Sequence, residues 1–416
     1  MAEAHSSVES AGEVRHGYQV WLRERTLAAS GWIRIVVGGN WSVVVSSILA
    51  GLAVISVGVD RLGAKGIVAV IAGIGLVPVV SDWIKLRRDL HALHPVESPL
   101  PDVGVPDGWE VRRYSRGRMI TNELIDESLG RQQPISYEAE RYRLPPELAA
   151  VKNSVVAYAR VTRPRDAPQP FDGAAVRLCT DLDPSGGTVH LQRTGYFDVL
   201  TSDYLAGYQW RGRDLRAVAD VSRSIVDREG RLVSLADSDL VHEIGVSTLA
   251  MTSDGWMILV VQGGSARSSP GLLAPTGSGT MEPIDLHGRF RLVDAVAAGM
   301  ERELREENGL HTDVMRAIRI ETEVLGFGRW LEKGAKPEFF GFSRIYAPIR
   351  RLDLRIDLSE RPYVAGHLRI PPPDVRSLLK DATFDDLGHP TPSVPLEACL
   401  AGLRRLRATG GLTYWG

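Results

Sequence analysis

The sequence is poor in cysteine and has almost no net charge, and both shortages narrow the classes of protein to which it can belong. Its 416 residues include two cysteines, Cys179 and Cys399, which are too few and too far apart for a disulfide framework or a zinc site. The 49 basic and 51 acidic residues give a formal charge of −2. With so little net charge the protein has no overall positive electrostatic field to attract nucleic acid, so we expect no nucleic-acid partner.

Charged side chains are also missing from two stretches near the amino terminus. Residues 35–59 carry none and are numerous enough to span a bilayer, and residues 66–81 form a second uncharged stretch. Arginine and lysine flank the pair on both sides, which predicts a two-helix transmembrane hairpin at 35–84 with both ends in the cytoplasm. Residues 1–34 would then be a cytoplasmic segment. A single span with an interfacial helix, or a buried hairpin of a soluble protein, are the alternatives.

The most informative segment is Arg302–Leu310, which reads Arg-Glu-Leu-Arg-Glu-Glu-Asn-Gly-Leu. Glu303, Glu306 and Glu307 stand at i, i+3 and i+4, so a helix places their three carboxylates on one face. Like charges at this spacing repel, whereas Mg²⁺ or Mn²⁺ binds carboxylates together with the phosphate oxygens of a substrate. The segment therefore predicts a metal platform for a phosphorylated ligand.

The residues around these acids extend the pattern. Asp294 is expected to cap the helix at its amino end, and Asn308-Gly309 to end it. From Gly288 to Leu310 the chain reads Gly-x5-Asp-x7-Arg-Glu-Leu-Arg-Glu-Glu-Asn-Gly-Leu. This resembles the Nudix box, Gly-x5-Glu-x7-Arg-Glu-U-x-Glu-Glu-x-Gly-U with U apolar, and Asp294 replaces the usual Glu. A capped surface helix rich in Glu and Arg is the alternative interpretation.

The first glycine of the pattern departs from the family. That glycine normally follows a strand directly, but Gly288 lies well beyond the expected strand at 272–275. Either the loop is enlarged and Gly277 or Gly279 has the structural role, or Gly288 matches by position alone. We favour the enlarged loop.

The resemblance implies an α/β fold, an α/β/α sandwich that would occupy residues 241–410. Residues 245–251 and 256–262 are expected to form a hairpin there, around the turn Ser253-Asp254-Gly255. Residues 95–240 form a linker and a β-containing middle region without an assigned role, in which residues 154–161 have strand composition.

The resemblance also implies an activity, hydrolysis of a nucleoside diphosphate linked to another moiety by a metal-dependent pyrophosphohydrolase. Glu303, Glu306 and Glu307 would hold Mg²⁺ or Mn²⁺, Glu303 would also orient the attacking water, and Arg302 would pair with a carboxylate of the helix. Glu338 is our choice for an additional base, among the strand acids Glu321, Glu323 and Glu338. Three arginines flank the long loop and are candidates for binding phosphate: Arg267, Arg289 and Arg291.

Two other functional classes fit the sequence. In one, a Nudix-like sensor binds a nucleotide or an ADP-ribose-like ligand and signals at the membrane. In the other, an assembly protein forms homo-oligomers through small residues of the hairpin, Gly51, Gly73 and Gly75. The expected partners are accordingly a nucleotide-type small molecule, the lipid bilayer and a second copy of the chain.

Overall fold

The computed structural model describes residues 94–131, 133–162, 170–211, 217–264, 269–356, 361 and 363–411. The segment 1–34, the predicted hairpin at 35–84 and Arg267 lie outside these ranges. Within them, no helix combines the length and the apolar character that crossing a membrane requires. The hairpin and its two-span topology therefore stay predictions.

Strands occur throughout the described residues, and in the carboxyl-terminal half groups of strands are followed by groups of helices. The strands are β1 (His94–Glu97), β2 (Glu110–Tyr114), β3 (Gly117–Thr121), β4 (Ile135–Glu138), β5 (Ala174–Leu178), β6 (Val189–Gly195), β7 (Tyr208–Arg211), β8 (Ala217–Asp220), β9 (Gly245–Thr252), β10 (Met257–Gln262), β11 (Leu273–Ala274), β12 (Gly277–Thr280), β13 (Ile320–Trp330), β14 (Lys336–Ile345) and β15 (Val364–Ile370). The helices are α1 (Glu123–Ser128), α2 (Pro146–Thr162), α3 (Tyr196–Leu200), α4 (Leu292–Glu307), α5 (Asp313–Arg316), α6 (Pro372–Lys380) and α7 (Val394–Ala408).

A mixed nine-stranded sheet forms the centre of the structure. Its order is β11-β10-β9-β14-β13-β3-β2, with β12 also paired to β9 and β15 to β10. Strands β9 and β14 run parallel, and the pairs β9–β10, β13–β14 and β3–β13 are antiparallel. This arrangement agrees with the predicted α/β class.

Helices cover both faces of this sheet. On one face, Met300 of α4 belongs to the same buried cluster as Val246 and Phe339. On the other face, Leu378 of α6 and Leu403 of α7 pack in a cluster with Phe342 and other apolar residues. Apolar side chains from successive strand positions point to opposite faces, so each face has its own core. The described residues thus form the expected three layers of helix, sheet and helix.

The middle region contributes directly to the central sheet. Strands β2 and β3 form its far edge, where Ile120 pairs with Arg329 of β13. The same region also forms two three-stranded sheets, β4-β6-β5 and β1-β7-β8. The proposed division into residues 95–240 and 241–410 stays a prediction, but backbone hydrogen bonds cross it.

Several local expectations agree with the structure. The hairpin β9–β10 forms around Ser253-Asp254-Gly255, with Met257 opposite Met251 and with Gly255 at a φ of +82°. A positive φ of this kind is easy for glycine and costly for other residues, which explains why the turn falls there. Downstream, β13 and β14 form an antiparallel pair, with Ile320 opposite Ile345.

Two expectations about local structure were wrong. Residues 154–161 are helical and belong to α2, not to a strand. Pro146 stands in the first turn of α2, and Val151, Val155 and Ala159 lie four residues apart on its buried face. Residues 277–280, expected in a loop, form strand β12 beside β9.

Helix α4 begins earlier than its sequence suggested. Its N-cap is Arg291, and Asp294 lies within the first turn, where its carboxylate binds the Arg291 guanidinium at 2.6 Å. The helix begins at Leu292, before the expected cap, because the side chain of Leu292 is buried in the core. The end of the helix is as predicted, with Asn308 at the C-cap and Gly309 at a φ of +66°.

Candidate functional site

Strand β12 lies unusually close to α4, and two glycines make this possible. A Cβ atom on Gly277 would be 2.5 Å from the backbone nitrogen of Leu304, and one on Gly279 would be 2.2 Å from the carboxyl carbon of Glu303. These glycines therefore have the structural role expected for an enlarged loop. Gly288 has a different role, because it occupies the turn before α4 with a φ of +70°.

The guanidinium of Arg302 organises the acids of this site. Its Nε and Nη2 atoms each donate to one carboxylate oxygen of Asp285 at 3.0 Å, and Nη2 also donates to the Thr280 carbonyl at 2.7 Å. Its Nη1 donates to Glu303 at 2.7 Å and to Glu306 at 3.3 Å. All five N–H donors of the arginine thus have an acceptor, which fixes its side chain.

The predicted pairing of Arg302 with a helix carboxylate is therefore present, but its bidentate partner comes from elsewhere. Asp285 lies in the 3₁₀ turn Pro283–Leu286 between β12 and α4, and its side chain is buried. Burial alone would lower the pKa of Arg302, but the charges of Glu303 and Asp285 raise it above its usual value. The arginine therefore stays charged among these acids.

Glu303 and Glu306 are held near one another in a partly desolvated place. Burial raises the pKa of Glu303, although the charge of Arg302 opposes the shift. Burial and the nearby charge of Glu303 raise the pKa of Glu306 to about 7. The side chain of Glu306 is still 48% exposed, so this carboxylate is the accessible member of the pair.

Glu307, the third expected ligand, points elsewhere. Its carboxylate is buried and accepts a hydrogen bond from the Ser278 backbone nitrogen at 3.0 Å. Across the described ranges, no three acidic, histidine or cysteine side chains converge as a formed metal site. The structure thus brings together two of the three predicted ligands, because Glu307 lies on the side of α4 that faces β12.

The donor chemistry still fits a divalent ion. Mg²⁺ is commonly bound by one or two carboxylates together with water and substrate phosphates, and does not require a cage made only of protein. Glu303 and Glu306 both place an oxygen next to the same cationic nitrogen of Arg302. These two carboxylates are therefore the residues that would hold Mg²⁺ or Mn²⁺, and the role of Glu307 stays a prediction.

Glu338 does not lie with these acids. Its neighbour Phe339 packs on the face that α4 covers, so Glu338 points to the opposite face of the sheet. There its carboxylate binds Lys336 at 2.9 Å and accepts a hydrogen bond from the Ser247 hydroxyl at 3.2 Å. Because it is buried in an ion pair, the structure gives no support to its choice as the additional base.

Lys336 and Glu338 belong to a second cluster of buried charges, together with Glu243 and Asp203. Burial raises the pKa of Glu243 to about 7, even though the charge of Lys336 opposes the shift. Asp203 accepts hydrogen bonds from the backbone nitrogens of His242 and Glu243, both at 3.1 Å. We call this group, Asp203, Glu243, Lys336 and Glu338, the enclosed cluster.

The arginines near the long loop make local contacts. Arg289 donates to the carbonyls of Asp285 and His287, both at 3.2 Å, and so closes its own turn. Arg291 is paired with Asp294 at the surface. Binding of phosphate by Arg289 and Arg291 stays a prediction, and so does the role of Arg267 beyond the described residues.

The main partner of Arg302 was not expected from the sequence, although a signal for it exists. Glu282-Pro283-Ile284-Asp285 has the spacing of a capping box, in which the first and fourth residues bind each other's backbone N–H. Such a motif marks a short helical turn and fixes the position of Asp285. Lys336, Glu243 and Asp203 carry no comparable local signal, because the chain brings them together from distant segments.

Comparison with known proteins gives a resemblance in folded structure only. No family model and no curated protein matches the chain. A protein from Deinococcus radiodurans (DR0079) is 15% identical with a TM-score of 0.26, and the match covers 44% of this chain and 96% of that protein. The MutT protein from Methanosarcina mazei Go1 is 15% identical with a TM-score of 0.27, and covers 40% and 94%.

A third solved structure, Tm1382, is a provisionally assigned Nudix hydrolase. It is 14% identical with a TM-score of 0.26, and the match covers 49% of this chain and 82% of Tm1382. At these identities and TM-scores the likenesses assign neither a family nor an activity. A function must therefore be argued from the side chains of the site.

Proposed function

We propose that this chain is a Nudix-type, divalent-metal-dependent hydrolase that cleaves a nucleoside diphosphate linked to another moiety. One observation carries the proposal. Glu303 and Glu306 share the Nη1 atom of an arginine whose other donors bind Asp285 and a carbonyl, and Glu306 is open to solvent. An acidic pair held in this way can accept a cation that also binds phosphate oxygens.

The chain's own residues have distinct roles in this proposal. Bound Mg²⁺ or Mn²⁺ would supply charge neutralisation and a more acidic water. Glu303 and Glu306 would hold the ion, and Glu303, which lies against Gly279, would also orient the attacking water. Arg302 keeps both carboxylates in place and stays charged throughout, because its pKa lies above the usual value.

The proposal is tested by removing the acids without changing their size. With Mn²⁺ present, the full chain should release a nucleoside monophosphate from at least one member of a panel of nucleotide sugars, ADP-ribose and dinucleoside polyphosphates. The double variant Glu306→Gln, Glu307→Gln should lose this activity. Asp294→Asn, which changes an acid of the same helix that pairs only at the surface, should keep it.

Circular dichroism of each variant would show whether the fold is intact. Turnover by the folded double variant at the wild-type rate would refute the hydrolase proposal.

A sensor is the second candidate, and the position of Glu307 favours it. That carboxylate binds the Ser278 backbone and does not join Glu303 and Glu306, so the acid set is incomplete as it stands. A sensor would bind ADP-ribose or a nucleotide and release no product. The bound ligand would raise the melting temperature of the protein. Product formation that depends on Glu306 would rule this candidate out.

We also propose that the hydrolase is held at a membrane by residues 35–84, with residues 241–410 in the cytoplasm. The support is the uncharged stretches and their basic flanks. A cysteine introduced by Gly63→Cys should react with a membrane-impermeant maleimide from outside the cell. Reaction only after the membrane is opened would reverse the predicted orientation.

A further inference from the structure

Asp285 is the residue that determines how Arg302 faces the acids of α4. Its two carboxylate oxygens accept from Nε and Nη2 at 3.0 Å each, which is a bidentate ion pair with fixed geometry. Only Nη1 then remains for Glu303 and Glu306. The side chain of Asp285 is 3% exposed, so water competes little for this pair.

Three features of the chain fix Asp285 itself. The Glu282 backbone nitrogen donates to Oδ2 of Asp285 at 2.8 Å within the capping box of the 3₁₀ turn. Pro283 stands at the start of that turn and restricts its backbone. Gly299 of α4 faces the carboxylate, and a Cβ there would lie 3.1 Å from Oδ2. The helix thus has a glycine where Asp285 approaches it.

We propose that Asp285 is a positioning residue for the metal-binding acids and that it acts through Arg302. By engaging the Nε–Nη2 edge of the guanidinium, it limits the contact of Arg302 with Glu303 and Glu306 to a single nitrogen. The two carboxylates can then turn toward a divalent cation. This inference rests on the proposed function, and it adds a residue that lies outside the box pattern.

The physical reason is competition between two cations for the same acids. Arg302 and Glu306 are four residues apart on α4, a spacing that favours an ion pair. Without Asp285 the Nε–Nη2 edge loses its ion pair, and the guanidinium can turn to pair fully with Glu306. A divalent cation must then displace the arginine before it binds, so its affinity falls.

Calorimetric titration of the full chain with Mn²⁺ tests this directly, without any substrate. Asp285→Asn keeps the size and one hydrogen-bond acceptor, and should weaken Mn²⁺ binding by about tenfold, the lower end of effects for groups that orient metal ligands. Asp294→Asn is the matched control, because it also removes one carboxylate near the start of α4, where Asp294 pairs with Arg291. This variant should bind Mn²⁺ as the wild type does. Mn²⁺ is the probe because the natural ligand is unknown.

A double-mutant cycle distinguishes action through Arg302 from a general loss of negative charge. In an Arg302→Gln background, Asp285→Asn should change Mn²⁺ affinity less than about twofold, because the arginine that it positions is gone. A tenfold loss in both backgrounds would show that Asp285 acts by itself, and would overturn the inference.

Gly299→Ala provides a second route that removes no charge. The added methyl group displaces the Asp285 carboxylate by a few tenths of an ångström, so Mn²⁺ binding should weaken. Alanine is also the better helix former, so the melting temperature should be unchanged or higher. A purely structural role for Asp285 predicts the opposite, a lower melting temperature together with any loss of affinity.

The outcomes separate this inference from the function on which it rests. If wild-type protein binds no Mn²⁺, the proposed function fails and the inference fails with it. If wild type binds Mn²⁺ and Asp285→Asn binds it equally well, the inference alone is wrong. Weaker binding by Asp285→Asn and Gly299→Ala, with non-additivity toward Arg302, supports it.

Discussion

Glu306 and Glu243 have pKa values raised to about the same level, near 7, with burial as the first cause in both cases. Their surroundings differ. Glu306 keeps almost half of its side chain exposed on α4, whereas Glu243, just before β9, is 1% exposed. A raised pKa thus accompanies an accessible group in one place and a sealed one in the other. Exposure, and not the pKa shift, separates a candidate ligand from a group that serves the fold.

The two clusters around these acids also use their cations differently. Arg302 distributes five donors among three carboxylates and a carbonyl, and leaves Glu306 in contact with solvent. In the enclosed cluster Lys336 and Glu338 are each 5% exposed, and their charges balance within the protein. Thr280 links the two clusters, because its carbonyl accepts a hydrogen bond from Arg302 and its hydroxyl donates one to Glu243.

The largest effect is expected from removing the cation of the enclosed cluster. Lys336→Met leaves Glu338 and Glu243 buried without their countercharge, which should lower the free energy of unfolding by about 3–5 kcal/mol. Lys380→Met, at the exposed end of α6, is the matched control and should change it by less than about 0.5 kcal/mol. Urea denaturation at pH 7 measures both. A loss below about 1 kcal/mol for Lys336→Met would show that this cluster is not sealed.

A smaller and pH-dependent effect is expected at Glu243. Its folded pKa lies above the unfolded value near 4.5, so the folded state binds the proton more tightly, and stability falls as pH rises from about 4.5 to 7. Glu243→Gln removes this penalty and should stabilise the protein by roughly 1–3 kcal/mol at pH 8. The two proteins should be alike at pH 4. If the melting temperatures of the two proteins differed by the same amount at pH 4 and at pH 8, the pKa shift could not belong to Glu243.

The smallest effect is expected at Glu306, although its pKa is shifted as far. The sign is the same, so Glu306→Gln should stabilise the protein above pH 7 in the absence of metal. Solvent screens a half-exposed charge, which limits the gain to less than about 1 kcal/mol. Melting temperatures of Glu306→Gln and Glu243→Gln, measured together at pH 8, give the comparison. An equal gain in both variants would show that exposure does not distinguish the two acids.

Local sequence signals predicted the parts of this structure that local contacts determine. Gly309 ended α4 as expected, and Gly255 fixed the hairpin turn, because each needs a backbone conformation that few other residues tolerate. The acidic spacing of α4 brings Glu303 and Glu306 together at Arg302, whereas the carboxylate of Glu307 binds the Ser278 backbone. These features depend on residues within a few positions of each other.

Long-range contacts explain what the sequence did not reveal. Residues 154–161 have strand composition but are helical, because Val155 and its neighbours pack against other parts of the middle region. Glu338 is buried beside Lys336, which also interacts with Glu243 from the segment before β9. Strand β15, which was not expected from the sequence, pairs with β10 from more than a hundred residues away. Composition and periodicity carry no information about such partners.

The two glycines of β12 set the spacing between a helix and a sheet. With a hydrogen atom in place of a side chain at Gly277 and at Gly279, α4 rests almost on the strand backbone, and the carboxylate of Glu303 lies against it. One methyl group at either position would act as a wedge under the helix. Anyone wishing to move α4 and its acids away from the sheet would begin with these two hydrogens.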